Sequence, residues 1–276
     1  MMELRGRTAV VTGAASGIGR GIALALGAEG MHVGVADVDS PGATAVAREI
    51  GERAFPLALD VTSHASLEAG AKEVAARTGG VHVLVNNAGV MLPLRPIVEA
   101  SDADWEYILS VNLLGVVKCV QAFLPQLRAH APDAHIVNTA SMGGLVAVPG
   151  FPIGPYVTSK YACVGYSESL RGELAAEGIG VSVLCPGMVT SNLSATSARN
   201  RPARLGRQAA PAPGGATPDP GLAVRMMRPE DVGPVVVRGI RENRLHIFTH
   251  PNARPQVDRR FAAILADFDA EARARG

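Results

Sequence analysis

A tyrosine and a lysine stand four residues apart, at Tyr156 and Lys160, beside a stretch of helical spacing at 157–177. On a helix, positions i and i+4 share a face, so an ammonium would lie one turn from a phenol. A positive neighbour favours the phenolate, which makes the pair a candidate general base for taking a proton from a hydroxyl. The plain alternative is two side chains on a solvated face, but Val164 and Ser167 continue the Lys160 stripe and argue for a half-buried one. A second constellation is Thr12-Gly13-Ala14-Ala15-Ser16-Gly17-Ile18-Gly19, which lies between an apolar β-branched run and a helical stretch. Glycines at 13, 17 and 19 let the backbone turn tightly and approach an anion, and the free N–H groups of the following helix would face a pyrophosphate. A glycine cluster alone could be a structural turn; the strand–turn–helix setting points to a dinucleotide. Asp37 ends the second strand, 18 residues beyond Gly19. A carboxylate there can accept hydrogen bonds from ribose hydroxyls and repels a 2′-phosphate. Ala15 and Val38 supply no cation nearby, so NAD is favoured over NADP, with a solvated strand-end aspartate as the alternative.

Two more residues stand out by position. Trp105, Ile108, Asn112, Gly115 and Cys119 recur at spacings of 3, 4, 3 and 4, one helical face. An amide on that buried stripe needs partners, whether structural or functional. Ser141 closes an apolar run at 135–141, where it could hydrogen-bond a substrate oxygen or cap the next turn.

These residues must be held by an alternation of short apolar runs and longer helical ones. Strands are expected at 8–12, 32–36, 54–58, 81–86, 135–141, 180–185 and 245–249, and helices at 18–29, 41–50, 66–78, 101–128, 157–177 and 229–242. That alternation predicts an α/β fold, a doubly wound parallel sheet of about seven strands in a single domain, with strand order 3-2-1-4-5-6-7 and helices on both faces. Strand ends at the carboxyl edge then become the place where ligands bind. From 199 to 220 the chain is rich in Ala, Pro, Gly and Arg without an apolar period. The insertion at 191–227 is expected to be either a passive loop or a lid over the ligands, with little structure of its own at 199–222 and its Arg199–Arg207 run solvated. The tail from 256 regains a helical stripe (Phe261, Ile264, Leu265, Phe268) and is expected to dock as a final helix.

Composition narrows the function classes. Lys and Arg number 26 against 25 Asp and Glu, a formal charge of +1, and aromatics are only 4%. No basic stripe or stacking platform favours nucleic acid, and apolar runs such as 81–85 are too short to span a bilayer. Three cysteines (Cys119, Cys163, Cys185) at intervals of 44 and 22 fit neither a disulfide framework nor a metal site, which points to a reducing, cytoplasmic setting. His246 and His250 are four apart but flank a strand with no third ligand beside them, so no metal is expected.

The sequence resembles the short-chain dehydrogenase/reductase family from Leu4 to about Phe248. The resemblance is carried by the T-G-x-x-x-G-x-G spacing at 12–19, Asp60-Val61 after the third strand, Asn86-Asn87-Ala88-Gly89 after the fourth, then Asn112, Ser141, Tyr156-x-x-x-Lys160 and Pro186-Gly187. It implies that Gly13, Ser16, Gly17, Ile18 and Gly19 hold the dinucleotide together with Asn87, Ala88 and Gly89, and that Asp60 and Val61 meet the adenine. It also implies that Pro186, Gly187 and Val189 border the nicotinamide, with Thr190 on its carboxamide. Asn112, Ser141, Tyr156 and Lys160 correspond to the family's catalytic set: Tyr156 moves the proton, Ser141 positions the oxygen, Lys160 tunes Tyr156 and binds the ribose, and Asn112 holds a water linking Lys160 to solvent. The reaction so implied is NAD-dependent interconversion of a small-molecule secondary alcohol and a ketone. Family members pair through the helices carrying Asn112 and Tyr156, here with Leu113, Leu114, Val116 and Val117 on one and Ala162, Val164 and Gly165 on the other, giving a homodimer or homotetramer. Arg201-Pro202 after Asn200, the segment from Leu245 to Pro251, and Arg260-Phe261 are similar to bacterial Cα-dehydrogenases that oxidise benzylic alcohols of lignin-type aryl ethers. A ketoreductase for a hydroxysteroid or bulky xenobiotic ketone is the second enzymatic reading. A non-catalytic dinucleotide sensor is the rival from another class.

Overall fold

The computed structural model describes residues 2–147, 150–207 and 226–275. Its centre is a seven-stranded, all-parallel sheet in the order β3-β2-β1-β4-β5-β6-β7. The strands are β1 (Thr8–Thr12), β2 (His32–Asp37), β3 (Ala54–Ala58), β4 (Val83–Asn86), β5 (His135–Thr139), β6 (Gly180–Cys185) and β7 (His246–Phe248). The helices are α1 (Gly17–Ala28), α2 (Ser40–Ile50), α3 (His64–Thr78), α4 (Asp102–Leu109), α5 (Val116–Ala129), α6 (Gly154–Leu174), α7 (Leu193–Arg199), α8 (Pro229–Arg241) and α9 (Arg254–Arg275). The order and fold class match the expectation from the alternating runs. Strand ends differ: β5 stops at Thr139, so Ser141 lies beyond it in the turn that follows.

Successive strand residues point to opposite faces, so a central strand needs apolar side chains at every position. Val11, Val33 and Val35 pack with Ile22 and Leu26 of α1 and Val236 of α8 on one side. Val10, Leu84 and Ile136 pack with Val120 and Phe123 of α5 and Leu170 of α6 on the other. On the first face α1 and α8 cross at two glycines. A Cβ on Gly21 would strike the Pro229 carbonyl, and one on Gly233 would meet the Gly21 carbonyl and lie 2.6 Å from Ala25 Cβ.

The stretch expected as one helix at 101–128 is continuous but not uniform. Ser101 caps α4 in a reciprocal capping box with Asp104. The chain then widens into a π-helical turn over Ser110–Gly115 before α5 begins. Gly115 is pressed against Val61, where a Cβ would sit 2.9 Å from Val61 Cγ2. Such widened turns cluster at functional sites, and this one carries Asn112. Asp102–Ala129 is long and apolar enough to cross a bilayer, but its Ile108, Cys119, Phe123 and Leu127 are fully or almost fully buried inside the protein.

Two expectations are corrected. The final helix α9 forms, yet none of its residues is buried, and Phe261, Ile264, Leu265 and Phe268 face outward. Its first turns dock, with Val257 packed against the cluster of Cys163, Val183 and Ala253 and Arg260 over the Tyr161 ring of α6, 5.2 Å from its centroid, while from Phe261 onward every described residue of α9 is exposed. Helical periodicity reports that a stripe exists, not which surface covers it. Val116 and Val164, expected to face a partner subunit, are instead buried within the chain, while Leu114 and Gly165 remain exposed.

The α1–α8 crossing yields a test. Gly21→Ala should lower stability by about 1–3 kcal/mol through overpacking, exceeding the roughly 1 kcal/mol that alanine gains in helix propensity. Urea unfolding that shows Gly21→Ala equal to or more stable than the parent would refute the close crossing.

Candidate active site

A cleft of about 1100 Å³ opens at the carboxyl edge of the sheet, above the split where β1 turns one way to β2 and the other to β4. Parallel strands deliver all their carboxyl ends to this edge, so the expected residues converge although they are far apart in sequence. Its floor is the glycine-rich turn. Gly13 has φ +65° and Gly17 φ +56°, and a Cβ on Gly13 would lie 2.8 Å from Ala88 Cα. A side chain on Gly19 would strike the Gly13 carbonyl. Gly19 is buried beneath the turn, whereas Ser16, Gly17 and Ile18 line the cleft. The Ser16 side chain does not cap α1, which leaves the first-turn amides of that helix available to an anion.

The turn is braced by two residues that sequence reading did not assign this task. Thr12 Oγ accepts hydrogen bonds from the Asn87 and Ala88 amides at 2.9 and 3.0 Å and donates to the Val85 carbonyl at 3.4 Å. The Asn87 amide nitrogen donates to the carbonyls of Thr12 and Gly13 at 3.0 and 3.3 Å. Asn87 therefore works as a clamp between the β1 and β4 turns, and its backbone with Ala88 and Gly89 faces the cleft.

On the β2 side, Asp37 accepts from the Ala15 amide at 2.9 Å and from the Asp39 amide at 3.0 Å, tying the glycine turn to the end of β2. One lone pair on each oxygen remains for ribose hydroxyls. Contrary to the expectation of no cation here, Arg199 at the end of α7 reaches Asp39 Oδ2 at 3.3 Å. It is 160 residues away in sequence, beyond the reach of a local reading. Next along the edge, Asp60 accepts from the Thr62 amide and hydroxyl at 2.8 and 2.7 Å, and Val61 lines the cleft beside it.

The proposed proton-handling residues gather on the opposite wall. Lys160 is 4% exposed; its Nζ donates to the Thr139 carbonyl at 2.8 Å and lies 5.6 Å from the Tyr156 ring centroid. Tyr156 is half-buried and lines the cleft. Ser141 heads a short 3-10 turn at Met142–Gly144, where its Oγ accepts from the Gly143 amide at 3.0 Å; a Cβ on Gly143 would lie 3.4 Å from Ser141 Oγ and 3.6 Å from Val157 Cγ2. Ser141 thus caps its turn and faces the cleft at once. Asn112 is fully buried: Oδ1 accepts from the Val90 amide at 2.8 Å, and Nδ2 donates to the Val90 carbonyl at 2.9 Å and Ser159 Oγ at 3.0 Å. Both amide protons are used, and one lone pair of Oδ1 is left for a water. A side chain on Gly89 would come within 3.4 Å of Asn112 Oδ1 and 3.7 Å of Lys160 Nζ, so the three residues meet at one point.

After β6, the Pro186 carbonyl accepts from the Met142 amide at 2.8 Å, and Gly187 donates to Thr249 Oγ at 3.1 Å. Pro186, Gly187 and Val189 line the cleft, but Thr190 does not; its amide donates to the Met227 carbonyl, and the next residue, Ser191, reaches the cleft. His250 also lines it, packed against Gly187, where a Cβ would lie 2.6 Å from Nδ1. Its spacing to His246 gave no sign of this position, and among the described residues no group of three or more His, Cys, Asp or Glu is placed to hold a metal.

The expectation for 199–222 is corrected where it can be compared; 208–225 lies outside the described residues. Arg201 is not solvated. Its side chain is 4% exposed and pairs with Asp104, itself buried, at 2.9 Å, while its guanidinium lies 5.4 Å from the Tyr107 ring centroid. Tyr107 donates to the Ser197 carbonyl at 2.8 Å, and burial raises its pKa to about 12, so it stays a donor. Ser197 Oγ accepts from the Met91 amide at 2.9 Å. Together these contacts seat α7 on α4 as a wall of the cleft. Burial pushes the Cys119 and Cys185 thiols up to about 12, which removes them as nucleophiles.

The uncapped helix end, the glycine floor that no Cβ could share, and the carboxylate at the end of β2 fit a dinucleotide. The family model described as short chain dehydrogenase matches residues 7–202. A CLA biosynthesis dehydrogenase/reductase from Lactiplantibacillus plantarum is 31% identical, over 97% of this chain and 96% of that protein. A C alpha-dehydrogenase from Sphingobium sp. is 30% identical, over 96% of this chain and 87% of that protein. The crystal structure of a short chain dehydrogenase/reductase from Burkholderia phymatum in complex with NAD superposes with a TM-score of 0.88 at 34% identity, covering 97% of each chain. Sequence, sheet order and cleft thus agree that the chain belongs to the short-chain dehydrogenase/reductase family, as an alcohol dehydrogenase/reductase that uses a nicotinamide dinucleotide.

Proposed function

We propose that this chain is an NAD-dependent, single-domain enzyme that interconverts a secondary alcohol and a ketone through Ser141, Tyr156 and Lys160. The observation that carries the reading is the placement of Lys160 Nζ, buried, bonded to the Thr139 carbonyl and close to the Tyr156 ring, on the wall of the cleft. A fixed ammonium in a low-dielectric pocket stabilises a developing phenolate more than it would in water. The bound nicotinamide supplies the hydride acceptor or donor. Ser141 donates to the substrate oxygen, Tyr156 takes the hydroxyl proton during oxidation or returns it during reduction, and Lys160 holds the charge that Tyr156 acquires. Asn112 fixes the Val90 loop against Ser159 and keeps a lone pair towards the point it shares with Lys160 and Gly89, a suitable station for a relay water.

NAD rather than NADP follows from charge. Asp37 and Asp39 place two carboxylates at the end of β2 against the single guanidinium of Arg199. A 2′-phosphate there would meet net repulsion. The substrate side is lined by Met142, Val146, Phe151, Ile153, Met188 and Leu193, an apolar wall suited to a bulky or aryl alcohol. Similarity to the C alpha-dehydrogenase supports a benzylic alcohol, and a bulky ketone taken in the reductive direction is the second reading the same wall favours. The free, buried cysteines suit a reducing, cytoplasmic compartment.

Three outcomes test this. Tyr156→Phe should retain NAD affinity and lower kcat at least about 100-fold, the scale of general-base contributions; near-parental turnover across an aryl, steroid and aliphatic alcohol panel would end the mechanism. Asp37→Ala combined with Val38→Arg should shift kcat/KM from NAD towards NADP, and a parent enzyme that already prefers NADP contradicts the charge argument. Arg201→Ala strands Asp104 in a buried site. Removing one partner of a buried pair costs about 3–5 kcal/mol, and Arg95, 3.8 Å from Asp104, should hold the loss near the lower end. With α7 loosened, KM should rise more than kcat falls, and Arg201→Lys should restore part of both; equal effects on the two constants would show that α7 does not shape the substrate pocket.

A further inference from the structure

The last helix leaves the body of the protein with its apolar stripe uncovered. Phe261 is 49% exposed, Ile264 36%, Leu265 60% and Phe268 70%, at spacings of 3, 1 and 3 that fall on one helical face. Residues 261–275 project about 20 Å at the usual rise per residue, and all of them are exposed. A solvated helix of this length is marginal by itself and draws its stability from whatever its apolar face covers.

The stripe has a two-fold pattern. About a point between Ile264 and Leu265, Phe261 mirrors Phe268 and Ile264 mirrors Leu265, so the apolar stripe reads alike from both ends. A surface that binds its own copy about a two-fold axis must be complementary to itself in this way. The charges follow the same rule. Arg254 pairs with Asp258 at 3.4 Å and Arg275 with Glu271 at 2.7 Å within the helix, which leaves Arg259 and Arg260 before the stripe, Asp267 and Asp269 on either side of Phe268, and Arg273 in the last turn. Antiparallel pairing brings the basic end of one helix to the acidic end of the other; parallel pairing sets like charges together. The two carboxylates beside Phe268 also disfavour an anionic membrane as the covering surface.

We propose that α9 pairs antiparallel with α9 of a second copy, with Ile264 and Leu265 at the axis, Phe261 against the partner's Phe268, and the basic start of each helix alongside the acidic stretch of the other. The pairing is separate from the faces of α5 and α6 that the family uses, and it needs no catalytic residue.

Two measurements on the full chain decide it. In Leu265→Asp, a substitution at an exposed site, NAD binding should be unchanged and the subunit number by light scattering should halve, with at least a tenfold weaker association. The double variant Phe261→Cys/Phe268→Cys should form an intersubunit disulfide that appears as a covalent dimer on non-reducing gels; the native cysteines are buried and do not compete. A parental subunit number in Leu265→Asp overturns the proposal, as does a double variant that stays monomeric on the gel. Sedimentation of the parent with phosphatidylserine vesicles without the crosslink would assign the stripe to a membrane and overturn it equally.

Discussion

Everything at the site hangs on one small device, the hydroxyl of Thr12. β1 and β4 are paired neighbours, but beyond their ends the chain turns to α1 on one face and towards α5 on the other, and the two turns must lie side by side without a strand ladder to join them. Thr12 Oγ accepts both amides of the Asn87-Ala88 turn, and the Asn87 side chain answers by donating to the Thr12 and Gly13 carbonyls. Buried backbone groups without partners are penalised heavily, so this reciprocal bonding stabilises a gap that would otherwise collapse. The glycines then make sense together. They keep the floor of the gap free of Cβ atoms, and a dinucleotide can lie on bare backbone.

The same economy of partners runs through the opposite wall. A buried polar chain passes from Asn86 to Asn138 at 2.8 Å, on to Ser167 at 3.0 Å, and ends on the Cys163 carbonyl at 2.6 Å, joining β4, β5 and α6. Asn112 joins the loop after β4 to α6 through Val90 and Ser159. Lys160 is thus carried on a helix held from two sides, and its ammonium is fixed by the Thr139 carbonyl. Preorganised charge of this sort loses no energy to rearrangement when charge develops on a substrate.

The wall formed by α7 has a different character. Its anchors, Ser197 on Met91 and Arg201 on Asp104, come from a segment of low apolar content and are polar rather than hydrophobic. A polar seat fixes orientation through directional bonds while contributing little burial. Arg199 meanwhile extends across the cleft to Asp39, so the substrate wall and the β2 end of the cleft are linked by an exposed ion pair of the kind worth little in energy.

The order of strands, the carboxyl-edge cleft and the positions of Gly13, Asp37, Ser141, Tyr156 and Lys160 were legible in the sequence, because each depends on local spacing: period two or 3.6, glycine where a side chain cannot fit, and charged or polar groups at strand ends. What only the tertiary structure decided were contacts between segments far apart in the chain. Thr12 on Asn87, Arg199 on Asp39, Arg201 on Asp104 and His250 on Gly187 have no local signature, since each lies 63 or more residues from its partner. Thr190 shows the limit at its finest. It follows Pro186-Gly187 as the cleft-lining Met188 and Val189 do, yet its amide is bonded to the Met227 carbonyl and its neighbours Val189 and Ser191 line the cleft while it does not. Helix α9 shows it at the largest scale: the spacing of Phe261, Ile264, Leu265 and Phe268 determined a helix with an apolar face, while only the path of the chain past Tyr161 decided that the face would look outward.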